Sequence, residues 1–111
     1  MKIQVPEKAV LRACLDYLDI TRTLYVRVHP VKPVSREGQM FFTPVRHSQK
    51  GAPDLLIFPS PGVVIAGECK SSKGALSAAQ EGWRERAQLV GITYAILRSV
   101  EDLQMVLPLK S

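Results

Sequence analysis

The run Val63-Val64-Ile65-Ala66-Gly67 carries no polar side chain and leads straight into Glu68-Cys69-Lys70. A short, wholly apolar run predicts a strand buried on both faces, central in its sheet. The preceding run, Asp54-Leu55-Leu56-Ile57-Phe58, opens as a second strand. The two are joined by Pro59-Ser60-Pro61-Gly62, which predicts a tight turn and so a β-hairpin. Charges emerging at the end of a buried strand mark a place where chemistry is expected.

The rest of the chain supplies cover for that hairpin. Residues 6–19 are expected to form the first helix, because Val10, Leu11, Cys14, Leu15 and Leu18 fall on one helical stripe. Pro6 suits the first helical position, and Glu7 suits the positive end of the helix dipole. Residues 24–29 (LYVRVH) alternate as a half-buried strand does. Residues 30–53 hold Pro30, Pro33, Gly38, Pro44 and Gly51 and predict a long loop, in which the stretch MFFTPV can pair briefly as an edge strand. A helix is expected from Leu76 to Val90, with Ser77 and Gln80 at capping-box spacing and Gly91 as its stop. Residues 92–98 (ITYAILR) read as a strand, and residues 99–107 as a short helix capped by Ser99. The expected architecture is α/β in one domain over residues 1–111, a mixed central sheet flanked by helices.

Composition bears on class and partners. Hydrophobic residues make up 46% of the chain and charged residues 23%, the balance of an ordinary globular protein. The net charge of +5 favours polyanions such as phosphate backbones. Cys14 and Cys69 lack zinc-site spacing and read as reduced core thiols of an intracellular protein. MKIQVPEKAV has no apolar signal-peptide region, and no run reaches membrane-spanning length. A cytoplasmic location without membrane attachment is expected, in a bacterial or phage-encoded protein, nucleoid-associated when on DNA.

Strand alternation places Glu68 and Lys70 on one face and Cys69 on the other. In a simple hairpin register Asp54 lies beside that pair, bringing two carboxylates and an ammonium together. Adjacent carboxylates repel and raise one another's pKa. A hard divalent cation, Mg²⁺ or Mn²⁺, removes that penalty, with the Cys69 backbone carbonyl as a further oxygen ligand. The soft thiol is a poor donor for such an ion. Glu-x-Lys by itself is usually an ordinary same-face pair, and the buried strand before it sets this one apart.

The succession GAPDLL, then ECK after a buried strand, then KGALSAAQ resembles the virus-type replication-repair nuclease domain, VRR-NUC, of the PD-(D/E)xK nuclease superfamily. The order of elements matches from about Val5 to Leu103. The resemblance implies a restriction-endonuclease-like core. It implies that Asp54 and Glu68 bind the metal and that Lys70 orients or activates the attacking water. Glu7 would be the helical glutamate of the site, or else only a first-turn dipole residue. Gln80 would contribute to the catalytic neighbourhood, or serve only as a helix cap. Arg36, Arg46, His47, Lys50 and Lys73 are candidates for the DNA backbone, the alternative being a solvated basic surface. His29 lacks a metal-ligand partner at useful spacing. Trp83 reads as core or a dimer contact.

The expected activity is metal-dependent hydrolysis of DNA phosphodiesters. Symmetric cleavage of a branched junction, as in Holliday-junction resolution, would call for a homodimer, and Met40, Phe41 and Phe42 offer apolar surface for one. The alternatives are a flap or nicking nuclease and a non-catalytic DNA-binding module of a repair or replication complex. Sequence does not separate a one-metal from a two-metal site.

Overall fold

The computed structural model describes residues 5–28, 34–36, 39–41 and 49–108, with backbone alone for 34–36 and 39–41. The first helix, α1, covers Glu7–Ile20, and its buried stripe is Val10, Cys14 and Leu18. Pro6 is its N-cap, one position earlier than expected, with an extended ψ of 151°. Its carbonyl still accepts from Ala9 and Val10 N–H, so the ring fixes the entry without losing a bond. α1 closes with paired bonds from Arg22 N to Asp19 O and from Thr23 N to Leu18 O, and Arg22 sits at φ +54°. That is a Schellman closure made without glycine.

Strand β1, Leu24–Arg27, follows. Among the described residues, β2 (Val34–Arg36) and β3 (Gln39–Phe41) pair only with each other, in a separate antiparallel ribbon. The expected edge pairing around MFFTPV is therefore local as far as Phe41, and the remainder of that stretch lies outside the described residues. β4 covers Leu55–Ser60 and β5 Val63–Cys69. Ile57 pairs with Ile65 but Ser60 with Val63, so Phe58 and Pro59 together stand opposite Val64. Pro59 thus lies in a bulge inside the strand, where its missing N–H is tolerated, and the turn narrows to Pro61-Gly62.

α2 spans Ala78–Leu89, β6 Thr93–Leu97 and α3 Val100–Val106. The main sheet has the order β1-β4-β5-β6, with β5–β6 parallel and the other pairs antiparallel. The protein is therefore α/β with a four-stranded mixed sheet flanked by three helices. β5 is an inner strand, as its uninterrupted apolar run requires. α1 and α3 cover one sheet face, packing Val10, Cys14, Leu18 and Leu103 against Leu55, Ile57, Ile65, Cys69, Ala95 and Leu97. α2 lies on the other face over β6, where Trp83 meets Tyr94 at 6.2 Å between ring centroids. Trp83 is half-buried, while Val90, the expected last residue of this helix, is exposed beyond the end of α2. No helix among the described residues is long and apolar enough to cross a membrane.

Candidate active site

The hairpin register sets Leu55 opposite Gly67, so Asp54, one residue before β4, comes level with Glu68. Two backbone bonds hold it there. The Asp54 carbonyl accepts from Val28 N–H at 2.8 Å, extending the β1–β4 ladder by one step. Its carboxylate accepts through Oδ2 from Cys69 N–H at 2.8 Å, clamping the side chain across the hairpin. Pro53, fully buried, fixes the chain just before it.

Glu68 is 2% exposed, the single buried charged residue among those described. Its Oε1 accepts from Gln80 Nε2 at 3.0 Å, while its Oε2 is buried without a hydrogen-bond partner. Glu7, in the first turn of α1, completes a set in which one ligand oxygen each from Glu7, Asp54 and Glu68 all lie within 4.8 Å of one another. The Glu68 carboxyl is pushed up to about 8, first by burial and then by the Asp54 charge, with Lys70 opposing and Glu7 adding. Glu68 thus holds its proton more tightly than an ordinary carboxyl, with one oxygen unpartnered beside two other carboxyl groups. Three oxygen donors fit a hard divalent cation, and Glu7, Asp54 and Glu68 would hold it.

Gln80 is the helix cap considered from the sequence, and it also reaches Glu68. Its Oε1 accepts from Ser77 N–H at 2.8 Å and its backbone N–H donates to Ser77 Oγ at 3.2 Å, which is the capping box. The Nε2 left over by that box is the group that reaches Glu68. One amide therefore ties the start of α2 to the buried carboxylate.

Cys69 points into the opposite face, where its thiol meets that of Cys14 in the core. That contact, and then burial, push the Cys69 thiol far up, which agrees with an inert core group. Lys70, half-buried just past the end of β5, donates its backbone N–H to Leu97 O at 3.0 Å and lies close enough to oppose the shift at Glu68.

The basic candidates divide. Lys73 is exposed in the turn after Lys70, and Lys50 is exposed in the turn before Gly51. Arg36 has only its backbone described, in β2, while His29, Arg46 and His47 lie outside the described residues.

Three features escaped the sequence reading. Gly51 has φ +78°, and a Cβ there would overlap the Ala79 carbonyl and stand 2.6 Å from Gln80 N. The segment entering Asp54 is thus pressed onto the first turn of α2. Arg98 Nη1 donates to the carbonyls of Ser71 at 2.6 Å and Gly74 at 2.8 Å, pinning the turn that follows Lys70. Tyr94 lies on the same sheet face as Glu68, and its hydroxyl is buried without a hydrogen-bond partner. A glycine in an otherwise polar loop was the one available signal for Gly51. Nothing local marks Arg98 or Tyr94, because Arg98 reaches the loop after β5 and Tyr94 lies between β5 and α2.

No family model, no curated protein and no solved structure matches the chain in comparisons with known proteins. The functional reading therefore rests on the site and on the motif resemblance.

Proposed function

We propose that this protein is a divalent-metal-dependent DNA endonuclease of the PD-(D/E)xK type, VRR-NUC-like. The observation that carries the reading is the convergence of Glu7, Asp54 and Glu68 within 4.8 Å, with an unpartnered Glu68 oxygen buried beside Lys70. A structural cluster would gain nothing from an ionisable group so placed, whereas a cation site needs it.

When bound, Mg²⁺ or Mn²⁺ would neutralise phosphate charge and lower the pKa of a water. The protein's part is positioning. Cys69 N–H fixes the Asp54 carboxylate, and Gln80 Nε2 fixes that of Glu68. The Cys69 carbonyl is a further candidate ligand. Lys70 adds positive charge beside the carboxylates, where it stabilises charge developing on the phosphate. The N-terminus of α2, next to Gln80, also favours an anion. Lys50 and Lys73 stand exposed on the two loops flanking the site, as phosphate contacts need. Branched DNA is the proposed substrate, cut by a homodimer that places two sites across a junction.

The test is cleavage of labelled duplex, flap and four-way-junction DNA with Mg²⁺, with Mn²⁺ and with EDTA. Asp54→Ala and Glu68→Ala should abolish cleavage while DNA binding persists. Lys70→Ala should lose on the order of a hundredfold in rate, as for other transition-state stabilisers. Near-normal metal-dependent activity in either carboxylate variant would refute the assignment. A monomer by light scattering that makes single incisions would replace junction resolution with flap or nicking activity.

A further inference from the structure

Among the described residues, two buried side-chain atoms have no hydrogen-bond partner: Glu68 Oε2 and Tyr94 Oη. They share one side of the sheet. Tyr94 pairs with Ala66 and Ile96 with Glu68 in the parallel β5–β6 ladder, and paired residues point to the same face. Tyr94 and Glu68 are therefore diagonal neighbours, with the small Ala66 as the direct partner of Tyr94. Burial raises the pKa of the hydroxyl, and the charges of Glu68 and Asp54 add to that while Arg84 opposes it, so the phenol lies within electrostatic reach of the carboxylates. Trp83 packs against it, and the Arg84 guanidinium lies 6.0 Å from its centroid.

A phenol donor and a carboxyl oxygen on one sheet face, each buried and too far apart to pair, leave room for a third group. Glu68 Oε2 needs a cation, and Tyr94 Oη needs an acceptor oxygen. A phosphate oxygen held at the cation supplies that acceptor and draws both groups into one arrangement. We infer that Tyr94 is a further substrate-contacting residue, whose hydroxyl donates to an oxygen of the phosphate bound at the Glu7–Asp54–Glu68 site. The inference rests on the metal-nuclease reading. It adds a neutral donor that stabilises charge on the phosphate without competing for the cation. The PD…ExK motif contains no such residue.

Tyr94→Phe removes the hydroxyl and keeps the ring, so three measurements on the full chain separate the possibilities. Single-turnover cleavage should fall by about a hundredfold to a thousandfold, the range for loss of one preorganised donor. Mn²⁺ binding to the DNA-free protein, followed by calorimetry, should be unchanged. The melting temperature should stay level or rise, because an unpaired buried hydroxyl is removed. A structural hydroxyl predicts the opposite pattern, a lowered melting temperature with an unchanged rate, and that result overturns the inference. A wild-type rate in Tyr94→Phe while Glu68→Gln is inactive overturns it alone. A wild-type protein that neither binds Mn²⁺ nor cleaves DNA removes the nuclease reading and the inference together.

Discussion

Gln80 carries two jobs on one amide, and the chemistry of the two ends separates them. Its oxygen caps α2 through Ser77 N–H, and its nitrogen donates to Glu68. Glutamate at this position would keep the capping acceptor, since S-x-x-E is itself a capping box. It would lose the donor and place a fourth carboxylate against Glu68. Gln80→Glu should therefore keep native helix content by circular dichroism, while cleavage falls at least about tenfold, since a misoriented or repelled ligand removes transition-state stabilisation. Unchanged cleavage would leave Gln80 with the capping role alone.

At the scale of elements, the site depends on how the loop before β4 meets α2. Gly51 makes this contact with a left-handed φ and no room for a Cβ. Gly51→Ala meets two penalties, the strain of φ +78° and overlap with α2 backbone that cannot move without disturbing the Ser77–Gln80 cap. The variant should lose about 2 kcal/mol or more by urea denaturation, within the range for combined backbone strain and overpacking. Its activity should fall further than stability explains, because Asp54 and Gln80 shift together. A variant with wild-type stability and rate would show that the loop is free to adjust. The glycine in the loop was visible in the sequence, but its partner was not, because Ala79 approaches it only once β5 has crossed through α2 to β6.

For the whole molecule, the carboxylate cluster couples folding to pH and to metal. Glu68 titrates near 8 in the fold, above the carboxylate value of 4.5. A raised folded value means its contribution is fully present below about pH 4.5 and is lost as pH rises through about 8. The EDTA-treated protein should therefore melt at progressively lower temperature from about pH 5 to about pH 9, as the buried carboxyl is forced to ionise. Mg²⁺ or Mn²⁺ should restore most of the loss at the alkaline end, because the ion binds the folded cluster and not the unfolded chain. Glu68→Gln should flatten the alkaline slope and abolish the metal-dependent rise. A melting temperature indifferent to metal at high pH would mean that the three carboxylates do not form a cation site.

What the sequence determined by itself is local and periodic. The α1 stripe, the hairpin, the Ser77 and Ser99 caps, the Gly91 stop at φ +86° and the opposite facing of Glu68 and Cys69 all follow from neighbours a few residues apart. Hydrophobic period and cap chemistry act over one or two turns and need no partner. The sheet order, the 2% exposure of Glu68, the reach of Gln80 Nε2 and the arrival of Tyr94 and Arg98 beside the site were decided by tertiary structure. Each depends on the parallel register of β5 and β6, set by the packing of the intervening α2. Alternation shows which residues share a strand face. Only the docked helix decides which residue on the next strand stands beside them.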